Sequence, residues 1–241
     1  MPTKAASRFF VAVVLILLPQ VGVAQDVTID FGDDGSLTAR SLQLIALITV
    51  LSLAPGLAVM ITCFPFIVTV LSILRQALGL QQSPPNMLIV SLALFLTYFV
   101  MAPVFAAAYA TGIQPLLDGQ IEVNEAVART YAPFQGFMVN RVNAETLAGL
   151  ADLRPLTGPA EDNASVLIPA FMLSEVERAF QIGFLIFLPF LIIDLVVAAV
   201  LMSMGMMMVP PAIVSLPFKL AFFVVADGWA LLTGALVRSY F

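Results

Sequence analysis

Histidine is absent from all 241 positions, and the chain has one cysteine and one tryptophan. Without imidazole there is no Ser-His catalysis, no His-ligated metal site and no imidazole proton relay. Cys63 has no second cysteine to pair with inside the chain, and its apolar surroundings mark it as a small packing residue. Charge is scarce too, at 10% of residues. No P-loop or dinucleotide fingerprint is present, so no cofactor is expected. The formal charge of -5 comes from acids in two stretches, 26–34 and 118–178, which leaves no basic face for nucleic acid or anionic lipid.

What is abundant is apolar surface. Hydrophobic residues make up 61% of the chain, which places it in or against a bilayer. From Ser41 onward, every acid, lysine and arginine except Arg75, Asp194, Lys219, Asp227 and Arg238 lies between Asp118 and Arg178. That interval is the one sizeable water-exposed region.

The N-terminus carries Lys4 and Arg8, an apolar core from Phe9 to Leu18, Pro19, and small residues at Gly22 and Ala24. This predicts a signal peptide over 1–24, cleaved between Ala24 and Gln25, because the core is shorter than the roughly 20 residues a span needs. A single domain, 25–241, would then begin with an acidic terminus, Asp26 to Asp34 against Arg40, on the outer side. Ser41–Leu74 and Gln76–Leu117 are free of charge, and the linker between them holds Arg75, Gly79 and Ser83-Pro84-Pro85-Asn86. The pattern predicts a helical hairpin over 41–117, with Ser83 as N-cap and the second arm starting near Pro84. Pro55, Pro65 and Pro103 predict kinks. Arms this long overrun a hydrocarbon core of roughly 30 Å, so part of each should be buried in protein. The Arg75 linker falls on the cytoplasmic side by the positive-inside rule, and 118–178 on the periplasmic side.

That outer region mixes acids with Phe134, Phe137 and Met138 at helical spacing and is punctuated by Pro155, Gly158 and Pro159, as small amphipathic helices would be. Asn163-Ala164-Ser165 matches a glycosylation acceptor, a motif too short to weigh. Ser174 and Glu177 form a capping-box pattern that predicts the start of a third apolar helix. A final apolar helix follows from Ala212 through Lys219 and Asp227, and a second hairpin, 179–241, turns at Pro210-Pro211. The expected fold is therefore all-α, with about four long, kinked apolar helices and a small helical periplasmic region.

Five methionines fall in the seven residues from Met202 to Met208, inside Gly205-Met206-Met207-Met208-Val209-Pro210-Pro211. Methionine is flexible and polarizable and makes a surface that repacks around different partners. Successive helical positions are about 100° apart, so Met206, Met207 and Met208 cannot all face one neighbour. Some face a lumen, a partner or lipid. The plain alternative is gap-filling in a helix bundle. Asp194, Lys219 and Asp227 are the ionisable residues of the second hairpin before its last turn. They either hydrogen-bond between helices or subunits, or line a conduit. An aspartyl protease pair is a poor match, since Ile193-Asp194-Leu195 and Ala226-Asp227-Gly228 lack the Gly-x-Gly-Asp pattern.

Several blocks carry a resemblance: Leu74-Arg75-Gln76-Ala77-Leu78-Gly79, Pro84-Pro85-Asn86, Pro169-Ala170-Phe171, Phe180-Gln181-Ile182-Gly183-Phe184, Pro189-Phe190-Leu191-Ile192-Ile193-Asp194, the methionine block, Leu216-Pro217-Phe218-Lys219-Leu220 and Asp227-Gly228-Trp229. Together they resemble the FliP family, export-gate proteins of flagellar type III secretion, over nearly the whole chain. Injectisome SctR proteins are the related branch; the signal peptide, the long outer region and Pro210-Pro211 favour the flagellar one. The resemblance implies a pentamer-like ring of copies with FliQ and FliR, held by FlhA and FlhB in the inner membrane at the basal body. Unfolded flagellar subunits would pass through it, with Met206, Met207 and Met208 as a pore gasket. The chain would be no enzyme. Phe64-Pro65-Phe66-Ile67 stands where the family usually has a Thr followed by a basic residue, so a charge expected near the cytoplasm is missing. The rival reading, a secondary transporter using Asp194, Lys219 and Asp227, should show paired internal repeats, and the two hairpins differ in length, charge and turn chemistry.

Overall fold

The computed structural model describes residues 34–80, 84–155, 158–206 and 208–241, and among them all regular structure is helical. The signal-peptide expectation, with Ala24 and Gln25, lies outside the described residues, as do Ser83 and Met207. Residues 1–50 and 51–241 form two compact units. The described part of the first belongs to α1, Asp34–Met60. The rest of the account concerns the second.

The first arm breaks just before Pro65 and not at Pro55. Helix α1 runs on through Pro55, and the chain turns at Ile61–Cys63 before α2, Phe64–Ala77. Thr62 ends the one and starts the other: its hydroxyl donates to the Val59 carbonyl at 3.0 Å and accepts from the Phe64 N–H at 3.4 Å. Pro65 sits in the first turn of α2, where the N–H it lacks would have no partner, so it begins a helix rather than kinking one. Helix α2 buries Phe66, Ile67, Val70, Leu71, Leu74 and Ala77, a 3–4 spacing that makes it the central stave of the core. Gly79 ends it at φ 78°, its N–H bonded to the Gln76 carbonyl.

Helix α3, Asn86–Ala108, starts two residues later than expected. Pro84 precedes another proline, which disfavours the helical conformation there, and Pro85 becomes the N-cap. Arg75 at the end of α2 donates to the Asn86 side chain across the mouth of this hairpin. The helix continues through a π-turn, Tyr109–Ile113, and α4, Gln114–Leu117, giving one apolar run of 32 residues that is long enough to cross a membrane.

The π-turn brings Gly112 against α5, Val123–Val139. A Cβ on Gly112 would lie 2.7 Å from the Thr130 backbone N and 2.9 Å from the Ala126 carbonyl oxygen. Backbone atoms cannot swing aside. Gly112→Ala is therefore expected to cost about 1–3 kcal/mol, read as a lowered unfolding midpoint of the purified protein.

The 118–178 interval holds α5, α6 (Ala144–Asp152) and a short 3-10 turn, Ala160–Asp162. Its own core is Met138 and Leu147 against Val166, Leu167, Ala170 and Phe171. Phe137 meets the Phe171 ring edge-on at 5.8 Å. Four of those residues already belong to α7, Ala164–Ser203, a single helix of 40 residues. The Ser174 start is thus corrected. Asn163 caps the helix by accepting the Ser165 N–H at 3.0 Å, and Ser174, three turns in, donates to the Ala170 carbonyl at 2.8 Å. At 1.5 Å per residue α7 is about 60 Å long, twice a hydrocarbon core. Its first part packs inside protein, through Val166, Leu167, Ala170, Phe171, Ser174, Glu175, Ala179 and Gly183, while Leu185, Ile192, Leu195, Val196 and Val200 are exposed.

The last arm is not one helix either. Helix α8, Pro211–Val225, and α9, Gly228–Arg238, meet at a bend of 62°. Asp227 turns the corner with φ 49°, a left-handed conformation that Asp tolerates better than most residues.

Candidate functional site

The methionine hairpin is built by helix-end chemistry. Met204 is the C-cap of α7, and Gly205 follows at φ 74°, the left-handed position that suits glycine. The Gly205 N–H bonds the Met202 carbonyl and the Met206 N–H bonds the Leu201 carbonyl, both at 3.0 Å, which is the Schellman pattern. Pro210 cannot be helical before Pro211, so it takes ψ 117° and serves as the N-cap of α8. Glycine and the proline pair thus fix both ends of a tight loop that presents methionine at its tip. Met206 is 41% exposed and Met208 97%. Below the tip, α7 and α8 enclose a wholly apolar groove of about 580 Å3, lined by Ile192, Val196, Val200, Met204, Met206 and Phe218 among others.

Deeper in the same hairpin sits an ion pair. Ser215, Lys219 and Phe223 are four residues apart and share one buried face of α8. Lys219, 5% exposed, donates to Asp194 Oδ2 on α7 at 2.6 Å and to the Ala77 carbonyl at 3.1 Å. Ser215, fully buried, donates to the other carboxylate oxygen at 2.5 Å. One ammonium therefore joins α7, α8 and the C-terminal end of α2, where free carbonyls favour a cation. Asp227, next in the same four-residue series, is carried out of it by the bend and is exposed, its side chain making no hydrogen bond or ion pair among the described residues. The structure brings together two of the three charges predicted for a transport site, not the three.

A second polar cluster had no counterpart in the sequence reading. Glu175 is 1% exposed on α7. It accepts from Arg141 Nε at 3.1 Å and from the Tyr240 hydroxyl. Arg141 Nη1 donates to the Ser239 carbonyl at 2.9 Å, and its guanidinium lies 3.8 Å over the Tyr240 ring. The Asn143 N–H donates to Ser174 at 2.9 Å, pinning the loop after α5 to α7. Burial pushes the Tyr240 phenol far above its ordinary range, and the Glu175 carboxylate beside it pushes the same way, so the hydroxyl stays a donor. Phe66 is buried here, edge-on to Tyr240 at 5.5 Å. Where the resemblance implies a polar and basic pair, Phe66 instead belongs to an apolar core against which Phe137 of α5 packs.

Among the described residues no group of three or more His, Cys, Asp or Glu could hold a metal ion.

Sequence comparison decides the lineage. Residues 47–236 match the FliP family. The chain is 53% identical over 233 residues to the flagellar biosynthetic protein FliP of Caulobacter vibrioides, covering 95% of this chain and 88% of the relative. The chain belongs to the FliP family. It is 48% identical over 242 residues to FliP of Agrobacterium fabrum (97% and 99% covered), and 44% identical over 205 residues to FliP of Bacillus subtilis (84% and 93%). Such coverage spans both the methionine loop and the Asp194–Lys219 pair, so a FliP fold frames both sites. It also makes this FliP chain a subunit of the flagellar protein-export apparatus, with apolar helices fit to cross a membrane.

Proposed function

We propose that this FliP chain is a pore subunit of the export gate and that Met206, Met207 and Met208 form the seal through which unfolded flagellar subunits pass. The observation that carries this is the loop tip. A methionine 97% exposed between two apolar helices is surface that a lumen, a second copy, a partner chain or lipid must meet, and a loop tip held by glycine and proline suits the first of these. Flexible thioethers on a loop stiffened by Gly205 and Pro210-Pro211 close around an empty pore and yield to a passing side chain. The long unburied stretch of α7 supports assembly into a ring with further copies and with FliQ and FliR, inside FlhA and FlhB. Cleavage after Ala24 would leave the mature N-terminus and 118–178 in the periplasm, with the ring at the flagellar basal body of the inner membrane.

The test is export itself. A strain lacking the gene should release no hook or filament protein into the medium, and a plasmid copy should restore it. Normal export without the gene contradicts the proposal.

A further inference from the structure

The second polar cluster lies away from the methionine loop yet is connected to it by rigid contacts. Helix α9 is fastened at its far end, where the Ser239 carbonyl accepts from Arg141 and the Tyr240 hydroxyl donates to Glu175. The Tyr240 ring is clamped between Phe66 and Phe137, at 5.5 and 6.0 Å. At its near end α9 is locked to α8. A Cβ on Gly228 would come within 2.2 Å of the Phe223 ring, and Trp229 meets the same ring edge-on at 5.4 Å. Helix α8 in turn carries Lys219 and begins at the methionine loop.

We propose that Tyr240 is a positioning residue for the gate: its hydroxyl on Glu175 sets where α9 lies, and through the packed bend sets where α8 holds the methionine tip. Close-packed elements pass on a displacement rather than absorb it. Helix α9 has 11 residues and is about 16 Å long, so a small slip at Tyr240 swings the bend at its other end. Tyr240 does not touch the loop, which separates its role from that of the seal. The inference rests on the gate reading above.

The experiment uses the assembled complex from a strain carrying only the plasmid copy, as wild type, Tyr240→Phe or Tyr240→Ala. Three quantities are read: oligomer on a native gel, hook protein exported, and ion conductance per complex in a planar bilayer. Tyr240→Phe keeps the ring and removes only the donor. It should assemble at the wild-type level while leaking several-fold more per complex. Tyr240→Ala should leak at least as much. Wild-type leak and export in Tyr240→Phe overturns the inference. Loss of oligomer in step with export in Tyr240→Phe also overturns it, because the contact would then serve folding alone. Failure of the wild-type plasmid to restore export would instead overturn the gate reading.

Discussion

Replacing Lys219 with alanine is expected to destabilise the protein by about 1–3 kcal/mol, because it leaves a half-buried carboxylate without its charge partner. The substitution leaves Asp194 facing an apolar hairpin with only Ser215 as donor, and it leaves the Ala77 carbonyl without its cation at the end of α2. A total folding free energy of about 5–15 kcal/mol makes this a large fraction, so the cellular level of the chain should fall several-fold. The companion variant separates charge from packing. With Asp194→Leu and Lys219→Met together, no charge is left uncompensated, and most of the lost stability should return. Thermal unfolding of the purified protein measures both. A double variant less stable than Lys219→Ala would show that the pair stabilises the hairpin by more than mutual compensation.

Arg141→Ala should be at least as damaging. It removes an ion pair with a carboxylate that is 1% exposed, the donor to the Ser239 carbonyl, and the cation over the Tyr240 ring. Loss of the cation alone places the cost at about 3–5 kcal/mol. Arg141→Lys should recover only part of this, since one ammonium cannot reach Glu175 and Ser239 with the geometry of a guanidinium fork. The readout is the midpoint of thermal unfolding, in the order wild type, Arg141→Lys, Arg141→Ala. Equal midpoints for the three would remove the cluster from the stability account.

The two ion pairs also show what a sequence can disclose. Asp194 and Lys219 stand out because each is alone in an apolar run, and isolation of a charge is visible in one dimension. Arg141 and Glu175 sit 34 positions apart in the charged 118–178 interval, where they look like any solvated pair. Their burial comes from α7 extending into that interval, and the Ser174/Glu177 pattern hid it by imitating a helix start. The real cap, Asn163, lies in a triplet that also matches a glycosylation acceptor, and no Glu or Gln three residues on completes a capping box there. The bend at Asp227 had a legible signal, an Asp-Gly dipeptide, which was overridden by the apolar residues on either side. Proline was informative where paired: Pro84-Pro85 stands immediately before α3 and Pro210-Pro211 straddles the start of α8, because the helical conformation is disfavoured for the first of each pair. Pro55, Pro103 and Pro189 lie inside continuous helix and mark no helix end, whereas Pro65 stands in the first turn of α2.

The seal remains the centre of the account, and its direct test is the ion conductance of the assembled gate with Met206, Met207 and Met208 all replaced by alanine. The loop's backbone is held by Gly205 and the proline pair, so the substitution should leave assembly near the wild-type level while removing the side chains that fill the constriction. Conductance per complex should rise well above wild type. A normally assembled gate with unchanged conductance would contradict the methionine seal.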